Sequence, residues 1–167
     1  ADAGVINGFS GNDMITYKLS HESGLNFTVG YINASDAVTD VSYSDFGVTY
    51  TGMDGLTIGY GEGDVESTTN SKSNESTMFA KYAFGSATVG IQVSEADSES
   101  GTDTESTGMG ISYQVNDDLA VSFGTNTLEK DGSSPDQEST AIGVSYTMGS
   151  LGISLSMHQV DNIANSA

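Results

Sequence analysis

The 167 residues fit one ordinary domain, but only 36% are hydrophobic, 21 are glycine, and there is one proline, no tryptophan and no cysteine; a large packed soluble core, a disulfide framework and a cysteine-based zinc site are not what this composition makes. The net charge of −19, from 23 acidic residues against four basic ones, all lysine, excludes a nucleic-acid or anionic-surface partner held by a basic patch. No run approaches the roughly 18 apolar residues of a transmembrane helix, and Ala1-Asp2-Ala3-Gly4 has neither the basic segment nor the apolar run of a signal peptide.

In chain order the dominant signal is alternation with a period of two, the mark of strands with one apolar face. It predicts ten strands, over about 14–20, 25–34, 45–51, 56–62, 78–84, 87–95, 108–115, 119–128, 140–148 and 151–160. Their apolar members run from Ile15/Tyr17/Leu19 and Leu25/Phe27/Val29/Tyr31 to Ile142/Val144/Tyr146/Met148 and Leu151/Ile153/Leu155/Met157. The alternate positions, such as Thr16, Thr28, Gly47, Gly59, Gly90, Gly110, Ser122 and Ser154, are small and polar. Ile32 and Phe79 are the large apolar residues on that second face, and Lys18 and Lys81 the charges expected within the strands.

The connections are expected to alternate in length. Short turns fall at His21-Glu22-Ser23-Gly24, Gly52-Met53-Asp54-Gly55, Gly85-Ser86, Asn116-Asp117-Asp118 and Gly149-Ser150, where Gly, Asn and Asp tolerate positive φ. Long acidic loops are expected around 34–44, 62–76, 95–106 and 129–138. Tyr17, Tyr50, Tyr82, Tyr113 and Tyr146 recur every 31 to 33 residues, each near the end of a strand entering a short turn. One repeat is therefore one hairpin plus one long loop.

A soluble sheet usually carries Lys, Glu, Arg and Thr on its wet face, whereas here that face is Gly, Ser and Thr. Together with alternating loops and tyrosines at one level, this favours a membrane β-barrel with an aromatic girdle. The fold class expected is all-β, an antiparallel meander of about ten transmembrane strands within one partial barrel domain.

Repeated hairpins such as Ile142-Gly143-Val144-Ser145-Tyr146-Thr147-Met148-Gly149-Ser150-Leu151-Gly152-Ile153 resemble the later strands of Gram-negative general porins, particularly the acidic, Gly-rich ones of alphaproteobacteria. The resemblance covers about residues 14–161. It implies a sixteen-stranded barrel of the bacterial outer membrane, a homotrimer with an inward-folded constriction loop, and passive diffusion of ions and small polar solutes. Lipid and lipopolysaccharide are its expected surroundings. The polar tail Asn162-Ile163-Ala164-Asn165-Ser166-Ala167 is not the closing aromatic strand of that family, and an even-stranded barrel with both chain ends on one side needs strands before and after this stretch. The chain is accordingly expected to be a fragment lacking the first strands and the closing strand.

Pore-wall candidates are Lys18, Lys81, Gln92 and Gln114. No enzyme constellation emerges. His21 and His158 lie far apart without metal-spaced partners, and Gly59-Tyr60-Gly61-Glu62-Gly63-Asp64 sits in a strand that no helix follows, which removes the mechanism of a phosphate loop. No cofactor is expected beyond loosely held Ca or Mg at Asp97, Glu99, Asp103 and Glu105, whose spacing is not that of a calcium loop. Two other function classes fit part of the pattern: an adhesin or phage receptor acting through acidic loops, and a soluble up-and-down barrel whose apolar face lines a ligand cavity.

Overall fold

A computed structural model describes residues 14–32, 41–67, 72–99, 101–133 and 135–163. They form one ten-stranded sheet in which every strand pairs antiparallel with its sequence neighbours. The strands are β1 (Met14–Ser20), β2 (Leu25–Ile32), β3 (Val41–Tyr50), β4 (Leu56–Ser67), β5 (Ser73–Phe84), β6 (Ala87–Ser98), β7 (Thr104–Gln114), β8 (Leu119–Lys130), β9 (Gln137–Met148) and β10 (Leu151–Asp161). β1 and β10 are the edges.

The register keeps the two faces separate across all nine pairings. Tyr17 stands opposite Val29, Val48 opposite Tyr60, Val89 opposite Ile111, and Val144 opposite Leu155. On the other face Gly47 meets Gly61, Gly90 meets Gly110, and Ser145 meets Ser154. A slip of one residue at any pairing would exchange the faces, so the alternation itself specifies the register.

Among the described residues no layer lies against the apolar face. Ile15, Leu155 and Met157 are 72%, 67% and 74% exposed, and among the described residues Tyr43 is the buried apolar side chain. A contiguous apolar surface of this extent needs an apolar surrounding. The large apolar side chains are the exposed ones, whereas Gln92 and Asn126 on the polar face are half-buried. That asymmetry belongs to a sheet curved with its polar face on the concave side, opposite to a soluble barrel with an apolar cavity.

The apolar band also records the strand tilt. The hydrogen-bonded row through Met157, the last apolar position of β10, crosses β4 at Leu56. The row through Ile15, the first on β1, crosses β4 at Asp64, eight residues away. Eight residues at ~3.4 Å over nine interstrand steps of ~4.8 Å correspond to a tilt of roughly 30° against the band. Barrel closure and membrane crossing require a tilt of this order.

The expected long loops are shorter than predicted, because the strands continue past the apolar band. β4 runs on to Ser67 and β5 begins at Ser73, β6 reaches Ser98, and β8 reaches Lys130. Asp64, Glu66, Glu75, Asp97, Glu105, Glu129 and Glu138 are therefore strand residues, joining Asp45, Glu62 and Glu95 at the predicted strand ends, and Lys18 and Lys81 are not the sole charges within strands. Both faces turn polar beyond the band, which erases the alternation signal while the backbone ladder continues. The segments 33–40 and 68–71 lie outside the described residues.

The turns opposite those extensions behave as their glycines predict, with Gly24, Gly55, Gly85 and Gly149 at positive φ. Two of them differ in surroundings. A Cβ at Gly85 meets nothing within 4 Å, but at Gly55 it would collide with the carbonyl oxygen of Ala83, whose N–H donates to Gly55 O at 2.8 Å. Gly85→Ala should cost about 1 kcal/mol from backbone strain alone, and Gly55→Ala at least about 1 kcal/mol more through overpacking. Urea unfolding of the intact protein in lipid vesicles checks the difference.

Candidate functional site

The polar face is the candidate site, since it presents the sheet's convergent polar groups. Lys18 on β1 stands opposite Thr28, and Lys81 on β5 stands between Thr57 and Gly90. Both ammonium-bearing side chains are exposed, and among the described residues neither forms an ion pair. Gln92, opposite Phe79, lies within 3.4 Å of Thr77 Oγ1 and 3.2 Å of Ser94 Oγ through its amide nitrogen. Thr77 and Ser94 hydroxyls are 2.9 Å apart, and Asn126 Nδ2 donates to Ser106 Oγ at 2.8 Å. An uncharged amide and hydroxyl track thus crosses β5 to β8.

Gln114 differs from the other three predicted wall residues. Its amide donates to the carbonyls of Asn116 at 2.6 Å and Leu119 at 3.3 Å, so it ties down the β7–β8 turn at the rim. Alternation alone placed it on the right face without showing that its donor was spent locally.

Two acidic residues join this face, Asp45 from the start of a predicted strand and Glu75 from a predicted loop. Asp45 and Glu75 flank Gly63 in one hydrogen-bonded row across β3, β4 and β5. The wall is glycine where they and Tyr43 pack: a Cβ at Gly30 would stand 2.7 Å from an Asp45 carboxylate oxygen, and one at Gly63 2.7 Å from the Tyr43 hydroxyl. Lys130, four residues past Asn126 on β8, shares the face and pairs with Thr104. His158 lies there too, opposite Ala141. The signal that could have found these residues is the unbroken even spacing from the apolar band into the acidic stretch.

On the apolar face the five repeated tyrosines occur on β1, β3, β5, β7 and β9, toward the strand ends that enter the turns. Tyr50 stands opposite Ile58, Tyr82 opposite Val89, Tyr113 opposite Val121 and Tyr146 opposite Ile153. Toward the other boundary of the band, the rings of Phe46 and Tyr60 are 5.9 Å apart, and Tyr60 donates to Glu62 Oε2 at 2.8 Å. Beyond it, Glu62, Ser76, Glu95, Glu105 and Glu129 occupy one row across five strands. Like charges directly opposite one another repel.

Asp97, Glu99, Asp103 and Glu105 are not gathered into a ligand set. The first three line an open depression of about 500 Å³ with Asp64, Glu66 and Lys72, but Glu105 stands on the outer row beside Glu95. Asp103 Oδ1 accepts the Ser98 N–H at 2.8 Å, and Lys72 pairs with Glu66 at 3.2 Å. Among the described residues no group of three or more His, Asp or Glu is arranged to hold a metal ion. His21 is also engaged locally, its Nδ1 lying 2.9 Å from the Ser23 hydroxyl within the first turn.

Comparison with known proteins accords with this geometry. A family model described as Gram-negative porin matches residues 1–166. No curated protein sequence matches the chain. Among solved structures, an OmpF of Salmonella typhi in complex with daunomycin superposes with a TM-score of 0.73 at 14% identity, covering 87% of this chain and 53% of that one. An anion-selective porin from Comamonas acidovorans gives 0.72 at 18%, covering 88% and 48%. The trimer form of OmpT from Vibrio cholerae gives 0.67 at 17%, covering 89% and 54%. The chain spans about half the length of the solved porins it matches.

Proposed function

We propose, because this chain belongs to the Gram-negative porin family, that its ten strands are part of the wall of a passive diffusion channel in the bacterial outer membrane. The observation that carries the reading is the separation of faces: an uncovered apolar band outside, and a Gly/Ser/Thr/Asn/Gln surface inside. Water-filled barrels need a hydrogen-bonding inner wall and an apolar outer band, which is how the described residues divide. No catalysis is assigned.

Lys18, Lys81 and Gln92 line the aqueous lumen. Gln114 buttresses the rim. Tyr17, Tyr50, Tyr82, Tyr113 and Tyr146 form the aromatic girdle at the short-turn boundary, where a ring's apolar body meets lipid and its hydroxyl meets water. The staggered descent of these tyrosines along the tilted rows puts them at one depth. The assembled protein is a homotrimer among lipid and lipopolysaccharide, a reading supported by the trimer form of OmpT.

The test is electrical. The intact protein in planar bilayers should give stepwise conductances that rise in proportion to bulk KCl conductivity, the behaviour of a water-filled pore. Vesicle insertion without conductance steps would refute the channel and leave an outer-membrane binding protein.

A further inference from the structure

Phe79 does not fit a wall whose only task is to stay wet. It is a large apolar side chain on the polar face, where no described residue covers it as a core would. Its ring leans from β5 across Gly59 of β4: a Cβ there would collide with Cε1 and stand 2.7 Å from Cζ. Thr49 Cγ2, at 3.1 Å from the same point, closes the far side. The ring is thus packed against Gly59 and beside Thr49 and is half-buried, with the rest of its surface on the polar face of the sheet.

Apart from Lys81, two residues along β5, the polar residues beside that ring are uncharged donors and acceptors. Thr77 precedes it by two on β5, Gln92 stands opposite on β6, and the Thr77–Ser94–Ser106 and Gln92–Gly108–Asn126 rows continue to β8. Beside them the wall is bare. Cβ atoms at Gly90, Gly110 and Gly124 would meet nothing nearer than backbone oxygens at 3.6, 3.7 and 3.4 Å, so these glycines are not required by packing within the sheet.

We propose that Phe79 and Gln92, with Thr77 and Ser94, form a saccharide subsite on the lumen wall. A sugar ring has an apolar C–H face, which suits the uncovered part of half-buried Phe79, and a rim of hydroxyls that both donate and accept, which suits an amide beside two hydroxyls. An aromatic solute would stack but leave the polar track unused. Lys81, two residues beyond Phe79, supplies a further donor, whereas the acidic rim disfavours anions, so the solute is neutral. The proposal rests on the channel reading and names a solute class for it.

The experiment is saccharide block of the intact protein in planar bilayers, with maltose and maltotriose compared against polyethylene glycols of equal hydrodynamic radius. Both sugars should reduce conductance saturably, beyond the reduction by the size-matched polymers. Phe79→Leu, which keeps bulk without a ring face, should raise the half-saturating concentration about 3- to 10-fold, the range expected for one lost aromatic contact. Phe79→Tyr should stay close to the parent, and Gln92→Leu should weaken block. Stepwise KCl conductance in each variant shows that the barrel is intact. Equal block by sugar and polymer, or block unaltered in Phe79→Leu, would overturn the subsite while leaving the channel standing; absence of any KCl conductance would instead overturn the channel.

Discussion

Ile91→Arg should destabilise the intact protein in a bilayer by about 2–4 kcal/mol, the cost of a cationic side chain on the lipid face near mid-depth. Gly90→Arg, one residue away, should cost much less. Ile91 is 46% exposed on the apolar face, between Ala80 and Met109, and an arginine there must either remain in hydrocarbon or drag water and headgroups inward. Gly90 faces the lumen beside Lys81 and Gly110, with room for a Cβ, so its arginine reaches water directly. The two variants share a strand, a turn and nearly all backbone hydrogen bonds. Any difference between them therefore measures which face meets lipid. Unfolding by urea in vesicles reads it, and a reversed ranking would place the apolar face inside the barrel.

The two faces were already legible in the sequence, because the apolar positions keep one parity within each strand and the pairing sets apolar opposite apolar from Ile15 to Met157. Strand number and order were legible for the same reason. Strand ends were not. From Glu62 to Ser67 and from Ser73 to Thr77, Val65 is the one apolar side chain, so no alternation distinguishes a strand projecting into water from a loop, and only the backbone ladder of β4 with β5 does so.

The candidate site was lost to the same ambiguity. Glu75 faces the lumen only if β5 continues through an acidic stretch, and Gln114 could not be separated from Gln92 until the turn carbonyls near it were placed. Phe79 was visible as an exception to the alternation. What sequence could not supply was the pairing of Phe79 with Gly59, whose missing Cβ makes room for the ring on the β4 side.

The strand extensions also change which charges should govern ion permeation. The sequence places a dense acidic population toward the long-loop side, and a cation preference follows from that alone. Most of these carboxylates, including Glu62, Glu95, Glu105 and Glu129, share the parity of the lipid-facing band and stand on the outer perimeter. Asp45 and Glu75 have the opposite parity and face the lumen across Gly63, opposed by Lys18, Lys81 and Lys130 on the same face. A field reaches about one Debye length, about 10 Å at 0.1 M salt and about 3 Å at 1 M, so carboxylates on the lumen side act on a passing ion while those on the perimeter are screened by the wall and its counter-ions. Reversal potentials of the intact protein under a KCl gradient should therefore show cation preference at low salt, fading as salt rises. Asp45→Asn with Glu75→Gln should remove most of that preference, whereas Glu95→Gln with Glu105→Gln and Glu129→Gln should change it little and should raise stability slightly by relieving repulsion along the outer row. Anion preference in the parent at low salt would give control to the lumen lysines, and a larger effect from the outer triple variant would show that the acidic rim acts on ions before they enter the barrel.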